Sequence, residues 1–377
     1  MKRIQYIIVY AFILMFLFFT LNSCNGKNYI EFDEVILNNT TANQHCIYKG
    51  EAYINKYKIV DNKLVVACDS LNNTTVENGM VDISVEALTC DGEYIYYLIT
   101  DWSYIDNEMK IQGAILRYDG NDTYEIARWD RPSSGHNNRS MKIYGEYVYF
   151  FCENNNGSNY ICRANTETGG MEILSTNNTD IIYSGIFFIG DYVFVQYGNN
   201  LYKTDLDHLS VSELTPERLL IENIRRICVI GDSVYYIRSS ENNDIMNMYT
   251  LNLSDNEEKL LIENISSVLF QFIGDYIYYA KPDLEEIGRV MIDGKEMKIY
   301  NQYHGSLYRY NISSGETTDV VIDFDIVFDE LYNVSDDYIL ALAYTNEQYV
   351  SAVNGASPQY MLVPTDGSEA ITLEIGT

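Results

Sequence analysis

The apolar and polar positions along this chain follow a repeat. Five times a Gly followed by Asp or Glu leads into a run of β-branched and aromatic residues. The runs are Asp91-Gly92-Glu93-Tyr94-Ile95-Tyr96-Tyr97, Tyr144-Gly145-Glu146-Tyr147-Val148-Tyr149-Phe150, Ile189-Gly190-Asp191-Tyr192-Val193-Phe194-Val195, Ile230-Gly231-Asp232-Ser233-Val234-Tyr235-Tyr236 and Ile273-Gly274-Asp275-Tyr276-Ile277-Tyr278-Tyr279. Their glycines are 53, 45, 41 and 43 residues apart. A near-fixed period in this range marks a repeat architecture. Gly accepts a positive φ at no steric cost, so each Gly-Asp step predicts a tight turn. The run after it is apolar on both faces, as a strand between two neighbouring sheets must be.

Each unit carries a second phrase. In order these are Ile115-Leu116-Arg117-Tyr118-Asp119-Gly120, Tyr160-Ile161-Cys162-Arg163-Ala164-Asn165, Leu201-Tyr202-Lys203-Thr204-Asp205, Met248-Tyr249-Thr250-Leu251-Asn252 and Leu307-Tyr308-Arg309-Tyr310-Asn311. A polar turn and a short strand follow each one, as over 124–129. One unit therefore predicts four antiparallel strands, which is one blade of a propeller. Residues 57–67, with a turn at Asp61-Asn62-Lys63, and residues 336–340 read as worn copies. The expectation is an all-β chain forming a single β-propeller of seven blades, with six as the alternative. The long spacing before the last copy predicts an insertion over 281–306, with Asp293-Gly294 as the turn of an extra hairpin. A strand over 29–37 is expected to complete the final sheet. No helical period runs for three turns after residue 24, and no Pro/Gly/Ser linker divides the chain.

The pairing of the Gly-Asp-x-Ile-Tyr-Tyr strand with the Leu-Tyr-Arg-Tyr strand resembles a bacterial β-propeller family, itself likened to the propeller of low-density-lipoprotein-receptor-related proteins. The resemblance covers residues 88–325. It implies the propeller fold and no particular activity. The receptor's Tyr-Trp-Thr-Asp motif is absent, so receptor function is not implied.

The first residues read as an address. Lys2 and Arg3 precede an apolar core over 7–19, the length of a signal-peptide core and short for a membrane span. It ends in Leu21-Asn22-Ser23-Cys24, which resembles the bacterial lipobox. The expected layout is a signal peptide over 1–23, a lipidated Cys24 with a tether over 24–45, and the propeller over 46–377. The resulting expectation is an extracytoplasmic lipoprotein held to a bacterial membrane by lipid.

Charge narrows the partners. The formal net charge is −29, and −31 without Lys2 and Arg3. A field of that sign argues against nucleic acid and against adsorption on anionic lipid heads. The seven cysteines contain no Cys-x-x-Cys pair, so no zinc site is expected. Cys152 and Cys162 flank a loop and are a candidate disulfide in an oxidising envelope. Asp323, Asp325 and Asp329 are a weak candidate for Ca²⁺ beside the simpler reading of a solvated strand edge. No cofactor is expected.

The sequence holds no Gly-x-Ser-x-Gly elbow, and its four histidines are scattered singly. The expectation is therefore a chain that is not an enzyme, a monomer that binds a protein, peptide or glycan. A carbohydrate-active enzyme and an envelope-assembly factor are the alternatives. Both tryptophans fall in the first clear unit, in segments read as loops on one rim. Trp102, Tyr104, Trp129, Arg131 and His136 are the candidate ligand-binding residues, with the 281–306 insertion as a second wall. Aromatic and Arg side chains on a rigid scaffold are typical recognition anchors. The competing reading is that each Trp seals a junction between blades.

Overall fold

The computed structural model describes residues 45–61, 63–76, 79–105, 108–131, 140–153, 159–175, 183–190, 192–239, 246–265, 270–281, 286–292, 295–300, 307–321, 326–333, 337–345, 358–366 and 368–375. Among them the only helical elements are three 3-10 turns, Asp69–Leu71, Val211–Glu213 and Pro216–Arg218. The strands form seven blades, numbered here in chain order. Blade 1 runs from His45–Tyr48 to Lys63–Val66, blade 2 from Thr74–Val76 to Thr123–Asp130, and blade 3 from Met141–Tyr144 to Gly169–Ile173. Blade 4 runs from Tyr183–Ile189 to Leu219–Ile221, and blade 5 from Ile224–Ile230 to Glu258–Ile262. Blade 6 runs from Phe270–Ile273 to Thr317–Val321, and blade 7 from Ile326–Asn333 to Ile371–Thr372. The fold is the expected all-β propeller, with seven blades of four antiparallel strands.

The repeated runs explain the packing. Alternate side chains of each second strand point into opposite junctions. In blade 3, Val148 and Phe150 join Leu98, Ile115 and Ala127 of blade 2, while Tyr149 and Phe151 join Ile186 and Val195 of blade 4. Seven such apolar clusters fill the seven junctions. The last, with Ile54 and Leu64 of blade 1 against Tyr332, Leu340 and Leu362 of blade 7, closes the ring.

The turns are equally regular. Gly231 and Gly274 both adopt φ 53°, the left-handed region that Gly enters without strain. The carbonyl after the turn glycine accepts an N–H from the turn joining strands 3 and 4. The pairs are Thr166 to Glu146, Leu253 to Asp232 and Ile312 to Asp275, each 2.8–2.9 Å. These hydrogen bonds tie the short turns into one end of the ring.

Two expectations need correction. The turn at residues 61–63 joins strands 3 and 4 of blade 1, not strands 1 and 2. The true first copy is Tyr48-Lys49-Gly50-Glu51, with Gly50 lying 42 residues before Gly92. Here Lys49 itself takes a left-handed φ of 49° and Gly50 follows at 77°, so the sequence pattern is displaced by one place. Nor does the final sheet need a strand from 29–37. Blade 7 has four strands of its own, and the C-terminal Glu374–Ile375 runs parallel to Lys63–Val66 on blade 1. Residues 1–44, with the signal peptide, Cys24 and the 29–37 segment, lie outside the described residues.

The predicted extra hairpin is present. Glu286–Ile292 pairs with Lys295–Tyr300, inserted between the second and third strands of blade 6.

Candidate functional site: a notch beside blade 2

Blade 2 departs from its neighbours in length. Its strands Gly79–Cys90, Ile95–Ile105 and Glu108–Tyr118 have 12, 11 and 11 residues. The corresponding central strands of blade 3, Tyr147–Glu153 and Asn159–Asn165, have 7 each. Four extra residues at about 3.3 Å each carry the sheet roughly 13 Å past its neighbour.

The projecting sheet has unlike faces. Trp102 lies opposite Asp82 and Ile111, and Tyr104 opposite Met80 and Met109. Opposed residues share a face, so Met80, Asp82, Trp102, Tyr104, Met109 and Ile111 form one surface. Four of them are exposed apolar or aromatic side chains: Met80 52%, Trp102 40%, Tyr104 46% and Met109 57%. This is the face that, lower down, packs Leu98 and Ile115 against blade 3. It stays bare where blade 3 ends. The other face is polar and internally bonded. Arg128 pairs with Asp101 at 3.1 Å and with Glu125 at 2.7 Å, and Gln112 donates to Asp130 at 2.9 Å.

Where the bare face meets the end of blade 3, a notch opens. It is lined by Glu86, Leu98, Trp129, Arg131, Phe151, Cys152 and Glu153 and spans about 280 Å³, part of it open to solvent. Little of that space would admit a water-sized group. A bulge makes the floor. The ladder between the first two strands shifts register between Val85 and Ala87, which leaves Glu86 unpaired and turns it into the junction. The Glu86 carboxylate, 5% exposed, accepts a 2.9 Å hydrogen bond from Thr100 Oγ1. Arg131 Nη1 lies 3.7 Å from Glu86 Oε1 and also donates to Thr100 Oγ1. The backbone N–H of Arg131 bonds Ile111 O at 2.9 Å, which fixes where the guanidinium starts.

Trp129 stands beside this pair. Its ring stacks on Phe150 of blade 3, centroids 5.0 Å apart at 29°. Its indole lies directly over Gly113, where a Cβ would overlap the ring. Its Nε1 is buried without a hydrogen-bond acceptor.

The sequence therefore named four residues of one surface. Trp102, Tyr104, Trp129 and Arg131 lie on the same face and end of blade 2. The setting of all four differs from the loop reading. Trp102 and Tyr104 are on a strand, not a loop, because the second strand runs on to Ile105. Trp129 does seal a blade junction, through Phe150, as well as lining the notch. Arg131 is a buried partner of Glu86 rather than a free anchor, so its removal strands a buried carboxylate. His136 lies outside the described residues. The insertion is not a second wall for this notch: its hairpin rises from blade 6, three blades round the ring from blade 2.

Glu86 and Glu153 were not anticipated. The signal for Glu86 is a break in alternation before Ala87-Leu88, visible only once the register is known. Glu153 comes from the neighbouring blade, which local spacing cannot report.

Cys152 and Cys162 lie on adjacent strands of blade 3 but diagonally, since Cys152 opposes Tyr160 and Cys162 opposes Phe150. Their sulfurs are in bonding contact, with Cα atoms 6.5 Å apart. Asp323 and Asp325 lie outside the described residues, and Asp329 falls at a bulge in the strand Ile326–Asn333. Among the described residues no group of three or more His, Cys, Asp or Glu is arranged to hold a metal ion.

No protein-family model matches the chain, and no curated protein matches it. Solved structures do. The tricorn protease is 11% identical with a TM-score of 0.45, over 87% of this chain and 39% of its own. Puromycin hydrolase is 8% identical with a TM-score of 0.49, over 76% of this chain and 46% of its own. The extracellular domain of a one-component system from B. thetaiotaomicron is 16% identical with a TM-score of 0.40, over 76% of this chain and 33% of its own. The chain thus spans less than half the length of each. A protease and a hydrolase among the neighbours overturn the expectation of a chain that is not an enzyme. At these identities the likeness is one of fold.

Proposed function

We propose that this chain is an extracytoplasmic recognition protein, tethered through lipid on Cys24, whose propeller presents the blade 2 notch to a protein, peptide or glycan. The carrying observation is the bare aromatic face. Met80, Trp102, Tyr104 and Met109 stand exposed together on a rigid sheet, contiguous with a notch that holds buried charge. Trp and Tyr supply large contact area at small entropic cost, and clustered exposed apolar surface marks interaction sites. The short hydrogen-bonded turns at the other end of the ring offer little to tell partners apart. A Cys152–Cys162 disulfide accords with an oxidising compartment.

Site-specific photo-crosslinking in intact cells tests this reading. Tyr104→benzoylphenylalanine should give discrete adducts on illumination, and Glu146→benzoylphenylalanine, on a short turn, should give none. Adducts from position 146 alone, or from neither position, contradict it.

A further inference from the structure

The start of the ring carries a second pair of cysteines. We propose that Cys46 and Cys90 form a disulfide that staples blade 1 to blade 2 once the chain has left the cytoplasm.

Position carries the proposal. Cys46 lies on His45–Tyr48, the first strand of blade 1, and Cys90 ends the strand Gly79–Cys90 of blade 2. Both strands run into a glycine turn, at Gly50 and at Gly92. Both cysteines are buried, 2% and 5% exposed, in the apolar cluster that fills the junction of these two blades. Tyr48 sets their level. Its hydroxyl lies 2.7 Å from the Glu93 carbonyl and 2.8 Å from the Asp119 carbonyl, within donating distance of both. Cys46 is on the same face as Tyr48, two residues back along the strand. Cys90 lies three residues before Glu93. The two cysteines therefore face one another across the junction, and their sulfurs meet in a thiol–thiol hydrogen bond. Cys68 packs at the edge of the same cluster, but its sulfur is engaged by the Thr123 side chain and by the N–H groups of Ser70 and Leu71. Cys228 lies on blade 5.

The chemistry fixes when the bond forms. Two S–H bonds break and one S–S bond forms, while two protons and two electrons pass to an external disulfide that leaves as two thiols. The thiolate is the attacking form, and burial pushes the Cys46 thiol well above its ordinary range, so the closed junction is inert. Exchange therefore belongs to folding, before blade 1 packs on blade 2. The closed junction then shields the bond from reductants.

Blade 1 has reason to be stapled. Its four strands have four residues each, against 11 or 12 in the long strands of blade 2, so its ladders hold few hydrogen bonds. Cys46 also stands where the expected tether over 24–45 ends, so the bond joins the point of attachment to the blade that bears the notch. It closes a loop between positions 44 residues apart, which restricts the unfolded chain.

The proposal takes its oxidant from the extracytoplasmic reading, and the test separates the two. Full-length protein is acid-quenched in cells, denatured in N-ethylmaleimide and mapped by peptide mass spectrometry before and after reduction. The Cys46 and Cys90 peptides should be linked and should become alkylatable only after reduction, whereas Cys68 and Cys228 should be alkylated at once. In Cys90→Ala, Cys46 should be alkylated without reduction while Cys152 and Cys162 stay linked. Refolding in reductant should lower the melting temperature of the natural protein by about 5 °C more than that of Cys46→Ala/Cys90→Ala. Alkylation of Cys46 and Cys90 without reduction, beside a linked Cys152–Cys162, overturns the staple and leaves the extracytoplasmic reading intact. Alkylation of all four without reduction overturns the staple and contradicts an oxidising compartment as well. Linkage of either cysteine to Cys68 overturns the pairing.

Discussion

The guanidinium of Arg163 lies over the ring of Tyr147, 4.3 Å from its centroid. Tyr147 is the residue that opens the strand after a turn glycine, and Arg163 lies on the next strand. The same pairing recurs as Arg117 over Tyr94 at 4.6 Å, Lys203 over Tyr192 at 3.6 Å and Arg309 over Tyr276 at 5.2 Å. Blade 5 has Ser233 and Thr250 at the two positions, so ring and cation are dropped together. Blade 1 keeps the cation, Lys58, and gives it a carboxylate, Glu51, at 3.5 Å. A cation–π contact at a partly exposed site contributes about 0.5–1 kcal/mol. A double-mutant cycle with Arg163→Met and Tyr147→Leu, read by urea unfolding, should give a coupling in that range. The same cycle at Thr250 and Ser233 should give none.

The buried Glu86–Arg131 pair predicts an asymmetry. Arg131→Met alone leaves a buried carboxylate unpaired and should cost about 3–5 kcal/mol. Adding Glu86→Gln should restore much of that loss, because the uncompensated charge is gone. Trp102→Ala, at an exposed site, should change stability by about 0.5 kcal/mol or less. Chemical denaturation of the four proteins checks the order.

Gly113 makes room for Trp129. Gly113→Ala places a methyl group inside the indole's space, so the ring must leave Phe150. Overpacking of this kind costs about 1–3 kcal/mol. In a Trp102→Phe background the remaining fluorescence belongs to Trp129, and Gly113→Ala should shift its emission to the red.

Lys142 gives a pH signature. It lies on the first strand of blade 3, 2% exposed, with Nζ 5.6 Å from the Phe187 centroid. Burial lowers its pKa from the ordinary 10.5 to about 7. Between those values the unfolded chain holds a proton that the folded chain has released. Stability from this group therefore rises with pH from about 7 to about 10.5, by at most about 1.4 kcal/mol per unit, and its cost is complete below about 7. Lys142→Met should be more stable than the natural protein at pH 7. The gap should shrink as pH rises to 10. A gap that does not change with pH contradicts this assignment.

Much of the ring was legible because the repeat is local. Gly, the acid after it and the Tyr-rich strand sit within seven residues, so each copy of the phrase carries its own turn and its own buried strand. Blade 1 was misplaced because Lys49 adopts a conformation usually left to Gly, which moved the pattern by one residue. Trp102 and Tyr104 were legible as recognition candidates but not as strand residues. The alternation of Trp102 and Tyr104 with Asp101 and Ser103 continues the preceding strand, while the polar composition suggests a loop. The notch itself was not legible. It depends on a bulge at Glu86 and on the end of a strand from another blade, and neither contact is encoded at short range.

Under the proposed function, ligand should cover Trp102 beside the notch lined by Trp129. The chain has two tryptophans, so 5-fluorotryptophan labelling gives two ¹⁹F resonances, assigned with Trp102→Phe. In the free protein the exposed Trp102 should show a solvent isotope shift between H₂O and D₂O larger than that of Trp129. On titration with a partner identified by crosslinking at position 104, both resonances should move and the isotope shift of Trp102 should fall. Saturable binding, measured calorimetrically on the same sample, with both resonances unmoved would place the ligand elsewhere and contradict the account.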